Sequence, residues 1–134
     1  MNPIISLLLS VALAAIIGIE REITHKPAGL RTHMLVSLGA CLFTLMSPNF
    51  GGQPAQIAGG VVAGIGFIGA GEIWAEKDHV RGITTAASLW AAAAIGLASG
   101  AGEYMIATVA AVIAFIILSS KFLLERIGIE HKNI

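Results

Sequence analysis

The sequence predicts an all-α polytopic membrane protein of five transmembrane helices, with the amino terminus outside and the carboxyl terminus in the cytoplasm. Three observations predict this class. Charged residues make up only 12% of the 134 residues, against about 25% in a typical soluble domain. Hydrophobic residues make up 56%. The mean hydropathy of +0.85 indicates more apolar surface than a soluble monomer of this length could bury. Apolar segments of nearly bilayer-spanning length, about 20 residues, recur along the chain.

Five such segments can be delimited, because glycines, prolines and polar turns interrupt the apolar sequence. Pro3 is compatible with the start of the first helix, where the missing N–H of proline is tolerated, and Pro48 ends the second. Residues 1–124 are therefore predicted to form one five-span domain in the lipid bilayer, and residues 125–134 a short cytoplasmic tail. The predicted spans are residues 2–19, 32–47, 55–74, 83–99 and 104–124.

Basic residues occur only in alternate connections, which predicts the orientation. The links after the first and third spans, together with the last turn of the fifth span and the tail, hold all eight Lys and Arg residues. The links after the second and fourth spans hold none. Because basic loops stay in the cytoplasm, these links and the tail are predicted to be cytoplasmic, and an even number of spans would break the alternation. The eight residues are Arg21, Lys26, Arg31, Lys77, Arg81, Lys121, Arg126 and Lys132.

The composition and the motifs argue against several classes of function. The formal net charge is zero, so nothing indicates a nucleic acid partner. A single cysteine, Cys41, rules out an intramolecular disulfide and a multi-cysteine metal site, and we expect it to be a small buried hydrophobe. The histidines lack metal-ligand spacing on one helix, and no catalytic constellation stands out. We therefore expect no metal, no cofactor and no enzymatic activity.

A glycine-rich segment runs through the third predicted span. Its G-x-G-x-x-G pattern over residues 64–69 lies inside a span and lacks the acidic residue that a dinucleotide site needs about 20 residues further on. Close helix packing is favoured, including a homodimer through an exposed GxxxG face. The alternative is an unwound segment whose carbonyls line a cavity, as in broken transporter helices. The predicted packing residues are Gly60, Gly64, Gly66, Gly69 and Gly71.

Ionisable residues near the ends of the predicted helices are the candidates for function, because a charge in hydrocarbon requires a partner or water. Glu72 is predicted to lie deepest and to pair with Arg81 or Arg31. Either Glu20 or Glu22 would then pair with the remaining arginine. The alternative is that solvated charges only anchor the helix ends. The predicted polar cluster comprises Glu20, Arg21, Glu22, Arg31, Glu72, Arg81, Thr84 and Thr85.

Two long motif regions resemble the MgtC/SapB family of bacterial inner-membrane proteins. They are EREITHKPAGLRTHMLVSLGA, residues 20–40, and GIGFIGAGEIW followed by VRGITTAASLWAAAAIGLASGAG, within residues 64–102. The resemblance covers about residues 5–120 and implies a five-span domain in the inner membrane. By motif, it places the family signature at Glu20, Arg21, Glu22, Gly29, Arg31, Thr32, Gly66, Gly69, Gly71, Arg81, Thr84 and Thr85.

The same resemblance implies a function. MgtC-like members are associated with growth at low magnesium, virulence and survival inside macrophages, and contact with the F-type ATP synthase is implied for some. They also continue into a soluble domain that resembles an ACT fold, whereas this sequence ends about ten residues after the fifth span. It is therefore either a short SapB-like form or a trimmed sequence.

Two functions remain open from the sequence. The first is a regulatory membrane protein that acts by contact with membrane partners. The second is a small transporter or channel for a cation or small solute, with a polar site at Glu72, Arg31 and Arg81. Continuous third and fourth helices with paired charges would favour the first, and a broken third span beside a hydrated cavity would favour the second.

Overall fold

Five helices form a bundle and alternate in direction along the chain. A computed structural model describes residues 2–51, 53–76 and 79–126, and five helices in this part are long and apolar enough to cross a membrane. The predicted multi-pass helical class is therefore confirmed. The carboxyl-terminal part of the predicted tail, 127–134, lies outside the described residues. The helices are α1 (Pro3–Ile23), α2 (Leu30–Met46), α3 (Pro54–Gly71), α4 (Ile83–Gly100) and α5 (Tyr104–Arg126), and a 3₁₀ turn (Ser47–Phe50) follows α2.

The link between α3 and α4 differs from the all-α prediction. It contains two short antiparallel strands, β1 (Trp74–Glu76) and β2 (His79–Arg81), with Trp74 opposite Arg81. Aromatic and β-branched residues such as Trp74 and Val80 favour extended backbone. The predicted third span reached residue 74, whereas α3 ends at Gly71. The prediction that Glu72 lies within this span was therefore wrong, because Glu72 is the residue that caps the helix end.

Gly82 allows the chain to return from this hairpin into α4. Its φ of 89° lies in the left-handed region, which glycine adopts without steric cost. A Cβ at this position would also lie 1.7 Å from the Glu72 carbonyl oxygen. The start of α4 therefore packs directly against the end of α3, a contact that only glycine permits.

Helix α4 is the centre of the bundle, and α3 lies at its periphery. Helix α4 contacts each of the other four helices, and 50% of its residues are buried, against 11% for α3. One group of buried apolar side chains joins α1, α4 and α5 around Ile17 and Ile95, and a second joins α2, α3 and α4 around Ile65 and Leu89. Cys41 is buried, as predicted.

The closest helix contacts lie between α1, α2 and α4. A Cβ at Gly96 would lie 2.2 Å from the carbonyl oxygen of Ser37, and one at Gly100 would lie 2.7 Å from that of Cys41. In the contact of α1 with α2, a Cβ at Gly18 would lie 2.7 Å from the Cα of Leu30. Small residues at these three points let the backbones approach, as membrane helices require.

Five glycines of α3 were predicted to pack against other helices, and most of them do not do so within the chain. Of these five, only Gly69 meets another helix, and its added Cβ would lie 3.4 Å from the Cβ of Ala86. A Cβ on any of the other four would find no atom within 4 Å, so their packing role stays a prediction for contacts outside this chain. Helix α3 is uninterrupted, so the alternative of an unwound segment was wrong. The four are Gly60, Gly64, Gly66 and Gly71.

Candidate functional site

A buried polar cluster lies at the end of the bundle that carries the α1–α2 and α3–α4 links. Its side chains come from three helices, and none of the five residues is more than 4% exposed. Such burial of charge inside apolar helices is costly, and intramembrane polar residues are therefore functional candidates. The cluster consists of Glu20 and Arg21 of α1, His33 of α2, and Thr85 and Ser88 of α4.

The charges of this cluster belong to adjacent residues of α1. The Nε–H of Arg21 donates a hydrogen bond to Oε2 of Glu20 in a buried ion pair. The second carboxylate oxygen, Oε1 of Glu20, is buried and has no hydrogen-bond partner in the described part of the chain. An unpaired carboxylate oxygen in an apolar interior is a strong acceptor for a proton, a water molecule or a cation.

His33 connects α2 to α4 within the cluster. Its Nδ1 lies 2.8 Å from the carbonyl oxygen of Gly29, and its Nε2 lies 2.9 Å from Oγ of Ser88. The Ser88 hydroxyl donates to the carbonyl oxygen of Thr85 at 2.7 Å. His33, Ser88 and Thr85 are therefore linked by hydrogen bonds that join α2 to α4.

Glu22 has a structural role at the same end of the bundle. Its Oε2 accepts a hydrogen bond of 2.9 Å from the backbone N–H of Leu30, the first residue of α2. A carboxylate in this place satisfies a free donor and complements the positive end of the helix dipole. The approach requires glycine at position 29, because a Cβ there would lie 1.9 Å from the same carboxylate oxygen.

Removal of this cap is expected to destabilise the protein by about 1 kcal/mol, the usual contribution of a helix cap. Glu22→Ala removes the carboxylate, and Gly29→Ala displaces it by steric contact, so each variant should show the same loss in a denaturation experiment. Because both changes remove the same hydrogen bond, the double variant should lose little more stability than either single variant. Additive losses would contradict the cap.

The structure brings together only part of the predicted polar cluster. Glu20, Arg21 and Thr85 are buried in it, whereas Arg31, Arg81 and Thr84 are exposed. Within the described ranges, neither Arg31 nor Arg81 forms an ion pair. The predicted pairing of these arginines with Glu72, Glu20 or Glu22 was therefore wrong. Glu20 pairs with its neighbour Arg21, and Glu22 accepts a hydrogen bond from the start of α2.

The prediction left out His33 and Ser88. A periodic pattern marks both positions. Ser37 follows His33 by one helical turn, with Ala40 and Cys41 on the next turn, and this is the buried face of α2. Ser88 follows Thr85 by three residues on the buried face of α4. Counting back one helical turn from the small residue Ser37 could thus have placed His33 on the same face of α2.

Five helices that are long and apolar enough to cross a membrane, around a buried ion pair and a buried histidine, indicate a multi-pass membrane protein with a buried polar cluster. The model of the MgtC family matches residues 7–127. The chain therefore belongs to the MgtC family, as the motif resemblance predicted.

Three relatives illustrate the similarity. "Putative magnesium transporter YhiD" of Escherichia coli K12 is 39% identical over 125 residues, which cover 86% of this chain and 58% of YhiD. Protein MgtC of Brucella abortus is 47% identical over 102 residues, 75% of this chain and 43% of its own length. Protein MgtC of Salmonella typhimurium LT2 is 45% identical over 111 residues, 82% of this chain and 48% of its own. The chain thus spans about half the length of these relatives, and no solved structure matches it significantly.

Proposed function

We propose that this chain is a non-enzymatic regulatory protein of the bacterial inner membrane that acts by helix contact with membrane partners. Its proposed role is adaptation to low magnesium and, in a pathogen, virulence through survival inside macrophages. Membership of the MgtC family and the relatives named MgtC support this role. The F-type ATP synthase is the proposed partner, on the basis of the family resemblance.

The observation that carries the proposal is the closed bundle. Helices α3 and α4 are uninterrupted over Pro54–Gly71 and Ile83–Gly100, and the charges of Glu20 and Arg21 neutralise each other inside the bundle. Continuous third and fourth helices favour regulation by contact, since a transport path would require an opening beside the polar groups. The second expected feature, paired charges on these two helices, is not met, because Arg81 forms no ion pair within the described ranges.

The peripheral helix α3 offers a surface for a second copy of the chain. An apolar groove of 610 Å³ runs between α2 and α3, and Gly39, Gly60 and Gly64 line it with Ile65 and Ile68. Gly60 and Gly64 form the GxxxG spacing that lets two membrane helices cross at close range. The homodimer predicted from the sequence is therefore proposed to form through this groove.

We also propose the orientation that the basic links indicate. The α1–α2 and α3–α4 links carry Lys26 and Arg81 among other basic residues, and the positive-inside rule places them in the cytoplasm. The amino terminus then lies outside, and the buried polar cluster lies near the cytoplasmic surface.

Growth at low magnesium tests this proposal in a strain that lacks its own member of the family. The unsubstituted chain should restore growth, and a tagged copy should co-purify with a second copy. Gly64→Leu should lose most of both effects, because leucine fills the groove of α3 while the fold is retained. The fold should survive since a Cβ at Gly64 has no neighbour within 4 Å.

Gly66→Leu is the matched control, because Gly66 lies on the same helix, is equally open and does not line the groove. Full activity of Gly64→Leu, or loss with Gly66→Leu alone, would contradict contact through the groove. Failure of the unsubstituted chain to restore growth would contradict the role in low magnesium.

The second candidate function is a small transporter or channel for a cation or small solute. The name of the relative YhiD refers to magnesium transport, and Oε1 of Glu20 is a buried acceptor with no hydrogen-bond partner in the described part of the chain. The sequence-based proposal for this function used Glu72, Arg31 and Arg81. Flux of a cation into proteoliposomes that Glu72→Gln or Arg81→Ala reduces would favour the transporter over the regulator.

A further inference from the structure

The three contacts around His33 need three protons, but a neutral imidazole and the hydroxyl of Ser88 together supply only two. The carbonyl oxygen of Gly29 can only accept, so Nδ1 of His33 must carry a proton to form the 2.8 Å contact. The carbonyl oxygen of Thr85 can also only accept, so the single hydroxyl proton of Ser88 is directed to it at 2.7 Å. The Oγ of Ser88 then has only lone pairs left for His33.

The contact of 2.9 Å between Nε2 of His33 and Oγ of Ser88 therefore needs a proton on Nε2 as well. All three contacts form together only when the ring is a doubly protonated imidazolium. In the neutral ring, Ser88 must direct its hydroxyl proton either to Nε2 or to Thr85. The other contact then joins two acceptors at less than 3 Å, which is repulsive and must lengthen.

We propose that His33 is a reversible proton-binding site and that the bound proton determines the contact between α2 and α4 at Ser88. With the proton bound, His33 donates to Gly29 and Ser88, and Ser88 donates to Thr85. After the proton leaves Nε2, the hydroxyl of Ser88 turns toward the ring, and its bond to Thr85 is lost. The ligand of this site is therefore a proton.

Among the described residues, the charges that act on the ring are those of Arg21 and Glu20 on α1. The guanidinium of Arg21 repels the added proton, and the carboxylate of Glu20 attracts it more weakly. Helices α3 and α4 carry no titratable side chain between their first and last residues, and Arg31 on α2 itself is exposed. Burial in an apolar interior disfavours a charged ring, whereas the two acceptors and Glu20 favour it. These opposed effects make the proton exchangeable.

A displacement at Ser88 would affect the whole contact of α2 with α4. Gly96 and Gly100 hold α4 against the backbone of α2 further along the same face, so the two helices move as packed bodies. Close packing of this kind converts a local change of one hydrogen bond into a shift of the helix. This inference is independent of the proposed regulatory role and of the identity of any partner.

Nitrogen-15 NMR of the histidine rings in lipid nanodiscs tests the proposal directly. The variant His25→Gln/His79→Gln/His131→Gln leaves His33 as the only histidine. Between about pH 5 and about pH 8, the range in which histidine normally titrates, the ring of His33 should pass from two protonated nitrogens to one. The resonances of Ser88 and Thr85 should change with the same midpoint. A ring that keeps either protonation state over the whole range would overturn the proposal.

Two substitutions provide a second measurement. Ser88→Ala removes the acceptor of the Nε2–H group, and Glu20→Gln removes the attracting charge, so in both variants His33 should release its second proton at lower pH. Ser120→Ala is the matched control, because Ser120 makes the same bond to a carbonyl three residues earlier, at 2.6 Å to Ile117, on the exposed face of α5. An unchanged midpoint in Ser88→Ala, or an equal shift in Ser120→Ala, would contradict the hydrogen-bond arrangement.

Discussion

Gly96→Ala is expected to lower the free energy of unfolding by about 3 kcal/mol, the upper part of the usual range for an overpacked core. The added Cβ would lie 2.2 Å from the carbonyl oxygen of Ser37 and 2.9 Å from the Cβ of Ala40. The first of these is a backbone atom and cannot rotate away, so α2 and α4 must separate. Their separation also exposes the carbonyl of Ser37 and loosens the contact at Gly100. Unfolding in mixed detergent micelles, followed by circular dichroism, measures the loss.

Gly66→Ala is the matched control for this measurement. Gly66 also lies within a helix of the bundle, on α3, but a Cβ there meets no atom within 4 Å, and Gly66 does not line the groove between α2 and α3. Alanine is the better helix former by about 1 kcal/mol, so this variant should be as stable as the unsubstituted protein or more so. Equal effects of the two substitutions would show that the contact of α2 with α4 is looser than the structure indicates.

Arg21→Ala is expected to destabilise the protein by about 3–5 kcal/mol, because it leaves a buried carboxylate without its partner. Oε1 of Glu20 is already unpaired, so the substitution would leave both oxygens without a hydrogen bond in the described part of the chain. Arg31→Ala is the control, since Arg31 is an exposed arginine at the same end of the bundle. Its effect should stay within about 0.5 kcal/mol.

A double variant separates the effect of the lost pair from that of the lost volume. In Glu20→Leu/Arg21→Leu no charge remains to be compensated, and apolar side chains of similar size often replace a buried pair without loss. The double variant should therefore unfold at a higher detergent fraction than Arg21→Ala. If it is equally unstable, the two side chains contribute mainly by packing and the ion pair has little weight.

Much of the fold could be predicted because lipid restricts what a chain can do. Long apolar segments must form helices in a bilayer, since every backbone N–H and C=O needs a partner. Four predicted spans agree with α1, α2, α4 and α5 to within a few residues. The third span was predicted to reach residue 74, because Ile73 and Trp74 continue its apolar character. Trp74 instead pairs with Arg81 of β2, which comes later in the chain, and hydropathy carries no information about such pairing.

The candidate site was harder to predict, for a related reason. Charge alone identified Glu20 and Arg21 as members of a polar cluster, and both are buried in it. Charge also suggested Arg31 and Arg81. Arg31 faces outward, which charge could not show because a sequence does not reveal the rotation of a helix about its axis, and Arg81 lies on β2 before α4 begins. His33 and Ser88 were missed since their role depends on a contact between residues that lie far apart in the chain.

The sequence by itself determined the membrane class, the number of spans and the family, because composition and motif spacing are properties of the chain alone. It also determined that small residues would bring helices together. Only the tertiary structure decided which small residues do so within the chain, namely Gly18, Gly96 and Gly100. It also decided that Glu20 pairs with its neighbour Arg21. The physical reason is that partner choice depends on the relative rotation and depth of packed helices, which the contacts of the whole bundle determine.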